Sequence, residues 1–165
     1  MPKKATQVKK RTLAQVKKDV WKVVSLAVRL RDANVHGQCT CISCDTVAYY
    51  IRDNIHAGHF FQSRNFPGVR WDLDNLHGQC SRCNLGLHGN VYRYYVKLRE
   101  KIGEDGVNGL NKRADLKHKE TIQELEVLKQ QCIDIILQES SNKRLYDWKE
   151  LFTKKEIESW HVSSI

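Results

Sequence analysis

No stretch of the chain approaches the ~18 to 20 continuous apolar residues that a membrane-spanning helix needs. The opening residues, Met1-Pro2-Lys3-Lys4, run into polar sequence without the apolar core of a secretion signal. Internal repeats and low-complexity segments are also missing, so no repeat architecture is available. Acidic residues are the minority, 19 against 28 Lys and Arg, for a net charge of +9. These absences lead to the expectation of a soluble, cytoplasmic protein with no membrane partner. The basic excess suits a polyanion, because Lys and Arg gain affinity by releasing counterions condensed on phosphates. With 165 residues there is room for one ordinary domain, or for a small catalytic module with helical extensions.

The patterning divides the chain. Residues 1–11 are basic and unpatterned, with Lys3, Lys4, Lys9, Lys10 and Arg11, and read as a flexible arm suited to a phosphate backbone. Residues 12–34 open on a capping box, Thr12-Leu13-Ala14-Gln15. An amphipathic helix follows through about Arg31, its apolar face carrying Leu13, Val16, Val20, Val23, Ala27 and Leu30 and broadened by Trp21 and Leu26. Residues 35–90 collect Gly, Cys, His and Asn and lose helical periodicity; Val47–Ile51 and Val69–Trp71 are the β-prone runs. In residues 91–165 the spacing predicts a helix capped by Asn90 and stopped by Gly103. A longer helix is expected from about Leu116 to Glu139, with Ile122, Leu125, Leu128, Cys132 and Ile135 or Ile136 near heptad spacing. That face suits an antiparallel hairpin or a dimer seam. A second capping box, Thr153-Lys154-Lys155-Glu156, opens a short terminal helix with Ile157 and Trp160. The fold class is therefore α+β, a small Cys- and His-rich module embedded among mainly α-helical flanks.

Four of the six cysteines form two pairs, Cys41-Ile42-Ser43-Cys44 and Cys80-Ser81-Arg82-Cys83. A two-residue gap lets both thiolates of a pair reach one tetrahedral ion, and four thiolates close its sphere. The expected cofactor is a structural zinc that ties the start of the module to its end. An iron–sulfur cluster has compatible spacing, and Cys39 competes with Cys41 as a ligand through a looser four-residue gap. Cys132 reads as a buried hydrophobe.

Between the pairs lies His56-Ala57-Gly58-His59-Phe60, and after the second come Asn84 and His88. Were Cys83 to lead straight into a helix, Asn84 and His88 would share a face at i and i+4. Imidazoles and an amide are the groups that phosphodiester hydrolysis uses to activate water and hold a divalent cation. Each histidine has a plainer alternative as a hydrogen-bonded surface or core residue, and this is the expected role of His77, His36, His118 and His161.

The order of these groups, with Asp74-Asn75-Leu76-His77-Gly78-Gln79-Cys80-Ser81-Arg82-Cys83-Asn84-Leu85, resembles HNH (ββα-metal) endonucleases of the endonuclease VII branch, and more closely the phage NinG/Rap recombination proteins. The resemblance covers about Cys39 to Asn90. It implies a metal-dependent DNA endonuclease acting on branched DNA such as Holliday junctions. His59 would be the general base, Asn75 would orient the hairpin or that histidine, and Asn84 would bind a catalytic divalent cation, Mg²⁺ or Mn²⁺. Many HNH enzymes carry an acidic metal ligand directly before the histidine, where this chain has Gly58. The replacement ligand is sought first in His56, then in His88, with Asp53, Asp72 and Asp74 open. Arg64, Arg70, Arg82, Arg93 and Lys97 are candidate phosphate contacts. Cutting two strands symmetrically implies a homodimer. Two other functions fit parts of the sequence: an HNH nuclease for linear duplex DNA, and a non-catalytic zinc-containing nucleic-acid-binding protein.

Overall fold

The computed structural model describes residues 11–51 and 55–162; the basic arm, apart from Arg11, and Asp53 lie outside the described residues. The chain is α+β, mostly helical with two small antiparallel sheets. Helix α1 spans Leu13–Asp32, and its capping box forms as expected, Thr12 accepting from Gln15 N and Gln15 reaching back to Thr12 N. Strands β1 (Gln38–Thr40) and β2 (Val47–Tyr49) make one hairpin; β3 (Ile55–His59) and β4 (Leu76–Cys80) make the other, with His59 opposite Leu76 and Ile55 opposite Cys80. Val69–Trp71 is not a strand. Pro67 cannot donate to a ladder, and Pro67–Val69 forms a 3-10 turn, with Gly68 against the Arg113 and Leu116 carbonyls where a Cβ would lie within 2.5 Å.

Helix α2 spans Val91–Ala114 and is broken at Gly103, whose φ of 75° is left-handed; helix resumes beyond it, where the sequence reading ended the element. Asn90 does not cap α2 with its side chain. Helix α3 spans Ile122–Lys143, starting later than expected because Thr121 and Glu124 form a capping box. Helix α4 spans Lys154–Val162 behind the Thr153–Glu156 box.

The expectation of an antiparallel hairpin or dimer seam at 116–139 is corrected. Helix α3 runs parallel to α1: Lys17 and Arg11 pair with Glu120 and Glu126 at one end, while Lys143 Nζ donates to the Leu30 and Arg31 carbonyls at the other. Leu125, Cys132, Ile133 and Ile136 join Val16, Val20, Val23 and Val24 of α1 in one core, so most of the apolar face is consumed within the chain, Ile122 at its start staying exposed. Helix α1 also packs on one face of the β3–β4 hairpin through Ala57 and Leu76. On the other face His77 meets Tyr94 of α2, so β4 is buried along its full length.

Candidate metal centre and adjoining cleft

The Sγ atoms of Cys41, Cys44, Cys80 and Cys83 all lie within 4.8 Å of one another, with 3.7 Å between Cys44 and Cys80. Tetrahedral zinc with Zn–S near ~2.3 Å places its sulfurs about 3.8 Å apart, so the donor set fits that ion. Backbone amides support the thiolates: Ser43 N donates to Cys41 Sγ (3.4 Å) and Cys83 N to Cys80 Sγ (3.5 Å). Asn90 Nδ2 donates to Cys83 Sγ (3.3 Å), which is why it is absent from the start of α2. Cys39 stands apart from the four, wholly buried against Gly78. Burial, reinforced by Asp32, pushes its thiol up to about 12, and the sulfur positions, which group Cys41 and not Cys39 with the other three, favour Cys41. Cys132 is buried in the core as expected.

Beyond Cys83 the chain does not enter an α-helix. Arg82–Gly86 makes one π-helical turn, and His88 follows with a left-handed φ of 47°. The i and i+4 argument for Asn84 and His88 therefore fails, yet the turn still brings both to one cleft of about 340 Å³. Its walls also include His59, Phe60, Arg64, Leu85 and Val91.

His59 ends β3 at this cleft and is fixed on two sides. Its ring stacks on Trp21 of α1, with centroids 5.3 Å apart and planes 12° from parallel, and Nε2 lies 2.9 Å from the Arg70 carbonyl. A carbonyl only accepts, so neutral His59 carries its proton on Nε2 and leaves the lone pair on Nδ1. Burial lowers its pKa, the Arg70 carbonyl opposing that shift and the Arg70 charge adding to it; the ring is neutral near pH 7. Asn75, fully buried, clamps the segment between β3 and β4. It accepts from Phe61 N (2.7 Å) and donates to the Phe61 and Val69 carbonyls (3.0 and 2.9 Å).

The clamp continues outside the module. Arg70 donates to the Ser63 carbonyl (3.0 Å) and to Glu120 (2.8 Å), so it is not a free phosphate contact. Glu120 also accepts from Trp71 Nε1 and Lys17 Nζ, and Trp71 meets Trp21 edge-on. Burial raises the Glu120 carboxyl, but these donors overcome it and hold the group at about 2. No local motif announces Trp21 or Glu120; the fold alone brings them to the site.

His56 lies three residues before His59 and faces the opposite side of β3. Its Nε2 meets Ser81 Oγ at 2.7 Å, and it does not line the cleft, so the structure does not bring it to Asn84 and His88. Gly58 explains the missing acidic residue: a Cβ there would lie 2.3 Å from Gln79 Oε1, while Gln79 Nε2 is held by Ser43 Oγ and the Gly89 carbonyl. Asp72 and Asp74 are spent on Arg113. His77 is buried; burial, only partly offset by Asp32, brings it down to about 3. Asp32 receives Gly78 N at 2.8 Å and, despite burial, is held at about 2 by Arg31 and Lys101, which fixes β4 to the end of α1. Arg64, Arg82 and Arg93 are exposed, and exposed Lys97 pairs with Glu100.

The fold and donor set define a mostly helical α+β protein with a four-cysteine centre that can hold zinc. A family model described as Bacteriophage Lambda NinG protein matches residues 2–140, and the chain belongs to that family. Protein ninG of Escherichia phage lambda is 30% identical over 128 residues, 74% of this chain and 59% of that protein. The namesake of Salmonella phage P22 is 33% identical over 129 residues, with 74% and 59% covered. The chain thus spans about 60% of the length of the curated relatives it matches. No solved structure matches it. Among the described residues, no helix is long and apolar enough to cross a membrane.

Proposed function

We propose that this chain is a metal-dependent DNA endonuclease of the HNH type that hydrolyses phosphodiester bonds in branched DNA such as Holliday junctions. The observation that carries the reading is the convergence of His59, Asn84 and His88 on one cleft, with Asn75 fixing the hairpin segment and Arg64 at the wall. The Asn84 amide oxygen and the His88 imidazole are donors that accept a divalent cation, with Mg²⁺ and Mn²⁺ the expected ions. Bound there, such a cation stabilises charge on the phosphate and on the leaving oxygen.

The chain's own groups do the rest. His59 Nδ1 takes a proton from the attacking water, while Nε2–H, held by the Arg70 carbonyl, keeps the ring in place as it becomes charged. Trp21 fixes the ring plane and Arg64 offers a cation to the neighbouring phosphate. The four-cysteine centre takes no part in chemistry, because four thiolates leave a zinc no open position. Cutting two strands requires two copies of this cleft, and therefore a homodimer formed through surfaces other than the buried face of α3.

The test incubates purified chain and His59→Ala with a labelled four-way junction, a matched linear duplex and single strands, with Mg²⁺ or Mn²⁺ and with chelator. Metal-dependent cutting of the junction, lost in a folded His59→Ala that still binds, is the expected result. Equal cutting of linear duplex makes the protein a general HNH nuclease. Binding without cutting under every metal makes it a zinc-containing DNA-binding protein.

A further inference from the structure

The cleft has an apolar wall that the cutting chemistry does not use. Leu85, Leu87, Val91 and Tyr92 are 64%, 46%, 49% and 80% exposed; Leu85 and Val91 line the same cleft as His59, and Tyr92 stands beyond its rim, on a neighbouring hollow with Asp45, Arg93 and Lys97. The segment is rigidly mounted. The cysteine centre precedes it, and Asn90 is tied to Cys83 Sγ and the Ser43 carbonyl; among the described residues these side chains lie outside the three apolar clusters. Exposed Arg82 and Arg93 flank it and make no ion pair among the described residues.

A DNA strand whose phosphate reaches His59 lies beside Leu85 and Val91, because they are walls of the one cleft. A continuous duplex offers that wall only phosphates and sugar edges. A branch point offers the flat faces of base pairs whose stacking is interrupted, and these are what leucine and tyrosine side chains cover well. The flanking arginines match the phosphates that diverge from such a point.

We propose that residues 85–92 are a wedge that enters the branch point of junction DNA, so that preference for branched over linear DNA resides in Leu85 and Tyr92 and not in the cutting groups. This rests on the nuclease reading above. The occupant is DNA; a second copy of the chain is the alternative the test must separate.

Binding of the full chain is measured in chelator to a four-way junction carrying 2-aminopurine at the branch point, and to a matched linear duplex. Wild type is compared with Leu85→Ser/Tyr92→Ser and with Tyr92→Phe, each checked for an unchanged melting temperature. Wild type should change the probe's fluorescence and bind the junction more tightly. The double variant should lose about tenfold on the junction with little change on the duplex, and Tyr92→Phe should keep the preference. Equal loss on both substrates, or no loss, overturns the wedge while leaving the nuclease reading intact. A double variant that sediments as a smaller species than wild type assigns the patch to contact between copies and also overturns it. A wild type that neither binds nor cuts DNA removes the nuclease reading itself, and the wedge with it.

Discussion

Glu120→Gln is the most informative single change outside the cleft. The wild-type carboxylate is 7% exposed and accepts from Lys17, Arg70 and Trp71 Nε1. Its depression from 4.5 to about 2, at ~1.36 kcal/mol for each tenfold change in proton affinity, corresponds to about 3 kcal/mol. Lys17 and Arg70 are 29% and 27% exposed, so water screens part of this and about 2 kcal/mol is expected. For a chain of this size the melting temperature should fall by roughly 4–8 °C. Because the folded-state pKa is the lower one, this stability is fully present above the unfolded value of 4.5 and is lost as pH falls through about 2. Urea unfolding of the two proteins should therefore differ by a constant amount from pH 8 to about 6, with the gap closing towards acid. The substitution also frees the Arg70 side chain, so the Nε2–H signature of neutral His59 in nitrogen NMR should weaken while the cysteine centre keeps its zinc. A variant within about 0.5 kcal/mol of wild type at pH 7, with the His59 spectrum unchanged, would refute the argument that Glu120 anchors the site.

Asn75→Ala leaves Phe61 N and the Phe61 and Val69 carbonyls without their partner in a fully buried position, and should cost about 3 kcal/mol or more in urea unfolding. In the same variant, cutting should fall further than the folded fraction accounts for. The purified chain should carry one zinc, measured by a colorimetric chelator after thiol modification. Cys83→Ser should lose it and Cys39→Ser should retain it, since only the former belongs to the four-sulfur set; zinc loss in Cys39→Ser would reverse the ligand assignment.

What the sequence disclosed was local. A two-residue gap between cysteines and the capping boxes at Thr12 and Thr153 each span four residues, and the structure forms all of them. The box at Thr121 is of the same kind and went unread, because the heptad pattern drew the helix start earlier. Strand β4 gave no alternating pattern for a physical reason: α1 covers one of its faces and Tyr94 of α2 the other, so all five residues are buried. The cleft was half legible. His59, Asn75 and Asn84 followed from the motif order, whereas the exclusion of His56 depends on strand parity. The roles of Trp21 and Glu120 depend on which helix lies beside the hairpin, and neither is written in spacing.

The parallel pairing of α1 and α3 has a consequence for anyone seeking a minimal fragment. Residues 35–90 hold all four sulfurs and every side chain that lines the cleft except Val91. They hold neither the ring beneath His59 nor the carboxylate that anchors Arg70, which come from Trp21 and Glu120. A graft of that segment into another scaffold would carry the four sulfurs and the cleft's side chains but would hold the imidazole by the Arg70 carbonyl alone, so the heritable unit is the whole helical cradle and not the motif it displays.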